Sequence, residues 1–138
     1  MKKFLAVTAA AALLAVGATA AQAETRQERG EARLAEMLDG FQTTGESLNC
    51  ISAMRSNRIE VIPYVGIVYD DGDTIYVARA TRPEMLRDSD VPVFERFSSQ
   101  LCNSDVMRTV DRHNTSFTGV LFLEDFVPYT RVEEAQGG

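Results

Sequence analysis

Residues 65–80, VGIVYDDGDTIYVARA, constrain the fold more than any other stretch of the chain. Two runs of β-branched and aromatic residues flank Asp70-Asp71-Gly72-Asp73. Asp-Gly is a strong hairpin signal, because a type I′ turn needs positive φ at both central residues. With Asp71-Gly72 as a two-residue turn, Tyr69 faces Thr74, Val68 faces Ile75, Ile67 faces Tyr76 and Gly66 faces Val77. A three-residue loop would shift that register. One face then carries Gly66, Val68, Ile75 and Val77, and the other Val65, Ile67, Tyr69, Tyr76 and Ala78. Both faces are apolar, whereas a hairpin with one wet side alternates polar and apolar residues. The hairpin is therefore expected to be central and covered on both sides.

The segment before it supplies a candidate cover. In ETRQERGEARLAEMLDGF, Leu34, Met37, Leu38 and Phe41 recur at helical spacing, with Glu28, Glu31, Arg33 and Glu36 on the other side. Gly40 is placed to end the helix in a left-handed cap. Gly30 is expected to weaken the first turns, so the firm helix is predicted over 30–39. The polar face mixes acids with arginines and lacks the basic excess of a membrane-surface helix. Packing on its own domain is the expectation.

From Leu48 the chain turns rich in Val, Ile, Tyr and Phe, broken by short polar turns. Strands are predicted near 48–54, 58–62, 64–69, 74–80, 91–97, 105–111 and 119–124. The expected fold is mainly β: a small antiparallel barrel or sandwich of about six to seven short strands with one N-terminal α-helix. The chain divides into a leader over 1–23, a helix and QTTGES linker over 24–47, a β-rich domain over 48–131 and a flexible tail over 132–138.

The leader is MKKFLAVTAAAALLAVGATAAQA. Lys2 and Lys3 precede an uncharged run from Phe4 to Ala20, and Ala21-Gln22-Ala23 is a small-x-small cleavage pattern. This is the pattern of a cleaved secretory signal peptide, cut after Ala23, with a periplasmic or secreted destination. No later run reaches the roughly 20 apolar residues of a membrane span, so no membrane insertion is expected after leader removal. Cleavage takes away both lysines and no acid. The fourteen cations fall to twelve arginines against twenty acids, a net charge of −8 over 115 residues. An acidic surface repels phosphate backbones, which argues against a nucleic-acid partner.

An exported chain with two cysteines, Cys50 and Cys102, most simply forms one disulfide. A catalytic thiolate would need a base, and His113 is the one histidine. The spacing fits neither a CxxC redox motif nor a zinc site. No cofactor is indicated. Asp70, Asp71 and Asp73 fail the calcium-loop pattern, which requires Glu at the twelfth position and meets Thr81 or Arg82 instead.

Asp111-Arg112-His113 could serve acid–base chemistry, but neighbours in a strand point to opposite faces and would converge only at a turn. Ser98, Ser99, Ser104 and Ser116 lie outside any nucleophile-elbow pattern. Tyr64, Arg79, Arg82, Tyr129 and Arg131 form a candidate recognition surface, since Tyr and Arg favour interfaces. In the hairpin register above Tyr64 lies opposite Arg79, and a structural cation–π or packing pair explains that equally well.

The order of these features resembles a family of small exported proteins of proteobacteria, especially sphingomonad-type bacteria, with no established function. The resemblance rests on CIS in an early strand, IVYDDGDTIYVARA, LCNSD and VDRHNTSFTGVLFLEDFVPYTR, and covers roughly Leu48 to Arg131. It implies a β-rich exported domain with paired cysteines and no catalytic residues to carry over. Three functions follow as expectations. The first is a non-catalytic binding or structural module of the cell envelope, with an envelope protein or glycan as partner. The second is an inhibitor of a secreted hydrolase, presenting loop 81–90 or 112–118. The third is a small enzyme using Asp111, His113 or surface carboxylates.

Overall fold

The computed structural model describes residues 24–55, 58–95 and 98–133. The expected leader, the last five residues of the expected tail and the end of the strand predicted over 91–97 lie outside the described residues. The chain is mainly β, with one helix and ten strands among the described residues, all paired antiparallel. The strands form three sheets layered like a sandwich, and none closes into a barrel. In chain order they are α1 (Arg26–Met37), β1 (Phe41–Thr43), β2 (Cys50–Ser52), β3 (Ile59–Ile62), β4 (Gly66–Asp70), β5 (Thr74–Ala80), β6 (Asp90–Phe94), β7 (Gln100–Cys102), β8 (Met107–Asp111), β9 (Phe117–Leu121) and β10 (Leu123–Arg131).

The central sheet runs β1-β10-β5-β4-β3. Its hairpin β4–β5 is covered on both faces, as the pattern of residues 65–80 required. Leu34 of α1 packs with Ile62, Val65, Val68, Ile75 and Val77 on one side, with Met37, Leu38 and Phe41 at the margin. On the other side Ile67, Tyr69, Ala78 and Phe126 meet Ile51, Leu101, Leu86, Met107 and Leu121. Each such large side chain, fully buried, contributes about 1.5–3 kcal/mol relative to exposure.

The hairpin register differs by two residues from the expected one. Val68 faces Val77, Tyr69 faces Tyr76 and Gly66 faces Arg79. The turn lies at Gly72-Asp73: Asp71 N–H donates to Thr74 O at 2.9 Å, and Gly72 has φ +85°. Glycine at the first central position is the II′ solution, which leaves Asp73 at negative φ. Because side chains alternate with a period of two, a two-residue shift leaves both apolar faces intact. Val65 is the exception. It lies before β4, next to Tyr64 in a left-handed conformation, and packs toward α1.

The helix also starts earlier than expected. Thr25 and Glu28 form a reciprocal capping box, Thr25 Oγ1 accepting from Glu28 N–H and Glu28 accepting from Thr25 N–H. Gly30 is buried, and a Cβ there would lie 2.6 Å from Pro63 O. The glycine permits a close approach of helix to sheet, and its cost in helix propensity is offset by that packing. Gly40 takes φ +80° just beyond the helix, as its position predicted.

Three strands escape the sequence reading. β1 takes up Phe41, Gln42 and Thr43, so the expected linker begins inside the sheet. β7 contains Cys102 itself. The strand predicted over 119–124 is in fact two: β9 in one sheet and β10 in another, with Phe122 O between them accepting from Thr81 N–H at 2.9 Å. Pro128 sits inside β10, where a proline argues against a central strand. It is accommodated because the flank it faces is unpaired there. Phe126 exchanges both backbone bonds with Leu48, and β1 pairs only with residues 129–131. The N position of residue 128 points to the same flank as that of 126 and falls in the gap.

Candidate binding face

Cys50 and Cys102 are joined, and their strands β2 and β7 form a two-stranded ladder in which the two residues face each other. Asn103 N–H donates to Asn49 O at 2.8 Å beside the pair. That places the cysteines at a non-hydrogen-bonded position, where facing side chains come closest. Ile51 and Leu101, the next residues along, turn inward to the core. The disulfide thus ties together a strand pair of only three residues each.

Asp111 and His113 are brought together by a turn, through the backbone. Asp111 Oδ1 accepts N–H bonds from His113 at 2.8 Å and Asn114 at 3.3 Å. The His113 backbone bond chiefly holds the Asp111 carboxyl below its usual range, against a smaller opposing effect of burial. Asn114 Oδ1 in turn accepts from Ser116 N–H at 2.9 Å and Ser116 Oγ at 2.6 Å. Thr115 is held at φ 57°. The carboxylate is engaged in closing loop 112–118, which its neighbour loop joins through Arg112 N–H to Ser89 O at 3.0 Å.

The five residues of the candidate recognition surface divide among separate local contacts. Arg79 makes a two-pronged pair with Glu31 of α1, at 2.5 and 3.1 Å, and that hydrogen bonding raises its pKa further. Tyr129 pairs with Ile75 and packs at the margin of the helix-side core. Arg131 lies over the Phe41 ring at 5.1 Å. Tyr64 faces Arg26, not Arg79: its hydroxyl accepts from Arg26 Nη1 at 2.8 Å, and the guanidinium lies 5.8 Å from the ring centre. Arg82 stands apart on the other side of the sheet, in the wall of a cavity beside β9.

The strongest candidate surface was missed in the sequence. Strands β6, β8 and β9 form a three-stranded sheet whose inner face carries Phe94, Met107, Thr109 and Leu121. On its outer face two rows cross the strands. One is Val91, Val110 and Phe117; the other is Val93, Arg108 and Val120. Val91, Val93, Phe117 and Val120 are exposed, Phe117 to 63%. One ion pair, Arg108 with Glu95, lies among them. Contiguous exposed apolar area of this kind marks interaction sites more than scattered single residues do. The signal was present in the alternation of DVPVF and FTGVL, but valine in a strand reads as core until a partner sheet is known to be absent.

Elsewhere, a groove of about 450 Å³ between α1, β3 and β6 is lined by Arg33, Glu60, Asp88 and Arg112 among others. Its Arg33 is already paired with Glu60. Among the described residues no three His, Cys, Asp or Glu side chains converge as metal ligands, and no helix is long and apolar enough to cross a membrane. Comparison with protein-family descriptions, with curated proteins and with solved structures found no match to this chain.

Proposed function

We propose that the chain is an exported, non-catalytic binding module of the cell envelope, periplasmic or secreted, that engages an envelope protein through the outer face of β6-β8-β9. The single observation behind this reading is the exposed apolar row Val91-Val110-Phe117, extended by Val93 and Val120 on either side of Arg108, on a chain with a net negative charge. A bare apolar sheet face has little use to a domain acting alone, whereas an apolar partner would remove it from water at about 25 cal/mol per Å². The signal-like leader and the Cys50–Cys102 bond support export, since disulfides persist in oxidising compartments.

The test is capture from periplasmic extract with the wild-type protein, His113→Ala and Phe117→Asp. A binding module retains the same protein with the first two and loses it with the third. Retention that ignores Phe117→Asp removes the face from the proposal. Substrate turnover abolished by His113→Ala would make the chain an enzyme instead.

One observation favours a second reading, inhibition of a secreted hydrolase. Loop 112–118 is wired by Asp111 and Asn114 into a fixed shape beside loop 81–90. A rigid loop loses little entropy on docking. Near-stoichiometric suppression of a lysozyme or protease, relieved by Asn114→Ala, would identify that activity.

A further inference from the structure

The free edge of β9 borders a cavity of about 200 Å³ that is also lined by Met85 of the short 3-10 turn Pro83–Met85. Its wall is mostly apolar, contributed by Met85, Leu86, Leu121 and Phe122. Space is left there because residue 119 is glycine: an added Cβ would approach Thr109 Oγ1 only to 3.5 Å, an ordinary contact. Arg82 lies in the same wall and is solvent-exposed. It makes no ion pair and no side-chain hydrogen bond among the described residues, whereas Arg33, Arg79 and Arg108 each have a carboxylate partner.

A second polar group faces this space. Thr109 is nearly fully buried and lines the cavity. The Thr118 hydroxyl donates to Thr109 Oγ1 at 2.8 Å. Thr109 Oγ1 is satisfied by that bond and adds one polar point to a mostly apolar wall.

We propose that this cavity binds a small monocarboxylate with an apolar body the size of one ring, the body seated beneath Gly119 and the carboxylate held at Arg82. The size argument is direct, since an apolar cavity of about 150 Å³ is enough for benzene. The charge argument is that guanidinium matches a carboxylate with two parallel N–H bonds and is the cation left unpaired in this wall. The site goes beyond the binding face and does not depend on it, although Val120 borders both.

The experiment is a two-ligand titration followed through backbone amide shifts, with benzoate and its uncharged counterpart benzamide. Benzoate should shift the amides of Gly119, Val120 and Met85, and bind less tightly as salt rises. Arg82→Gln should weaken benzoate about tenfold and leave benzamide unchanged. Gly119→Val, which fills the cavity, should abolish both. Equal benzoate affinity in wild type and Arg82→Gln would overturn the carboxylate assignment. Absence of shifts at those amides at millimolar benzoate would overturn the site itself. Arg82 is exposed and unpartnered, so its variant reads out binding even where Gly119→Val fails to fold.

Discussion

The central sheet and the β6-β8-β9 sheet are built from the same residue types, yet one is covered twice and the other once. In β4 and β5 both sets of alternating side chains find a cover: α1 on one side and the β2/β7 and β8/β9 strands on the other. In β6, β8 and β9 only the inner set does, and the outer valines and Phe117 meet solvent. The difference teaches that apolar alternation marks a strand's capacity for burial, and that the surrounding elements decide how much of it is used.

Deleting a phenyl ring from each sheet is the sharpest way to break this comparison. Phe126 is fully buried in the core, so Phe126→Ala should cost about 3–5 kcal/mol in chemical denaturation. Phe117→Ala should stay within about 0.5 kcal/mol, because its ring is mostly in water already. Equal costs would show that the outer face is covered in solution.

The disulfide should rank next. Closing 52 residues restricts the unfolded chain by roughly 4 kcal/mol on loop-closure entropy. The Cys50→Ser, Cys102→Ser double variant should lose about 2–5 kcal/mol. Intact mass of the native protein should lie about 2 Da below the reduced form, as one S–S bond requires. Two freely alkylated thiols in native protein would contradict the bond.

Glycines extend the contrast to the backbone. A Cβ at Gly66, in the covered hairpin, would lie 2.1 Å from Ala78 O, and backbone cannot step aside cheaply. Gly66→Ala should destabilise by about 1–3 kcal/mol, as overpacking does. Gly119, in the open sheet, has room and no positive φ. Gly119→Ala should be neutral or stabilise by up to about 1 kcal/mol, because glycine weakens a strand interior. Thermal melts of the two variants should therefore move in opposite directions.

The smallest effect belongs to the loop at the end of β8. Asp111 has a lowered pKa in the folded protein, so its contribution is fully present above its unfolded value and is lost as pH falls through the folded one. Thermal melts taken downward from about pH 4 should show a shallower acid loss in Asp111→Asn than in wild type. Parallel acid limbs would mean that the bonds to His113 and Asn114 add nothing.

Much of the central hairpin was legible. Its two apolar faces and the helix that covers one of them follow from periods of two and 3.6 in the sequence, and these survive a register error of two. The register itself was misplaced because Asp71-Gly72 and Gly72-Asp73 are both acceptable turns, of opposite type. The strand expected over 119–124 merges the end of β9 with the start of β10, which runs on through Pro128 to Arg131. Only the gap between Leu48 and β1 shows that its flank needs no hydrogen bond there. The local partners of the candidate surface were not legible for a related reason. Tyr64, Arg79 and Arg131 were grouped by residue type, but Arg26, Glu31 and Phe41 engage them one by one.

The sequence by itself determined the β-rich class, the pairing of the two cysteines and the need to bury residues 65–80 on both sides. These follow from local periodicity, turn chemistry and a count of two, none of which requires knowing what lies opposite. Tertiary structure alone decided which valines stay in water, which arginines gain a carboxylate partner and where a glycine leaves a cavity. Each of those depends on a neighbour distant in the chain, and burial, ion pairing and free volume are properties of the pair.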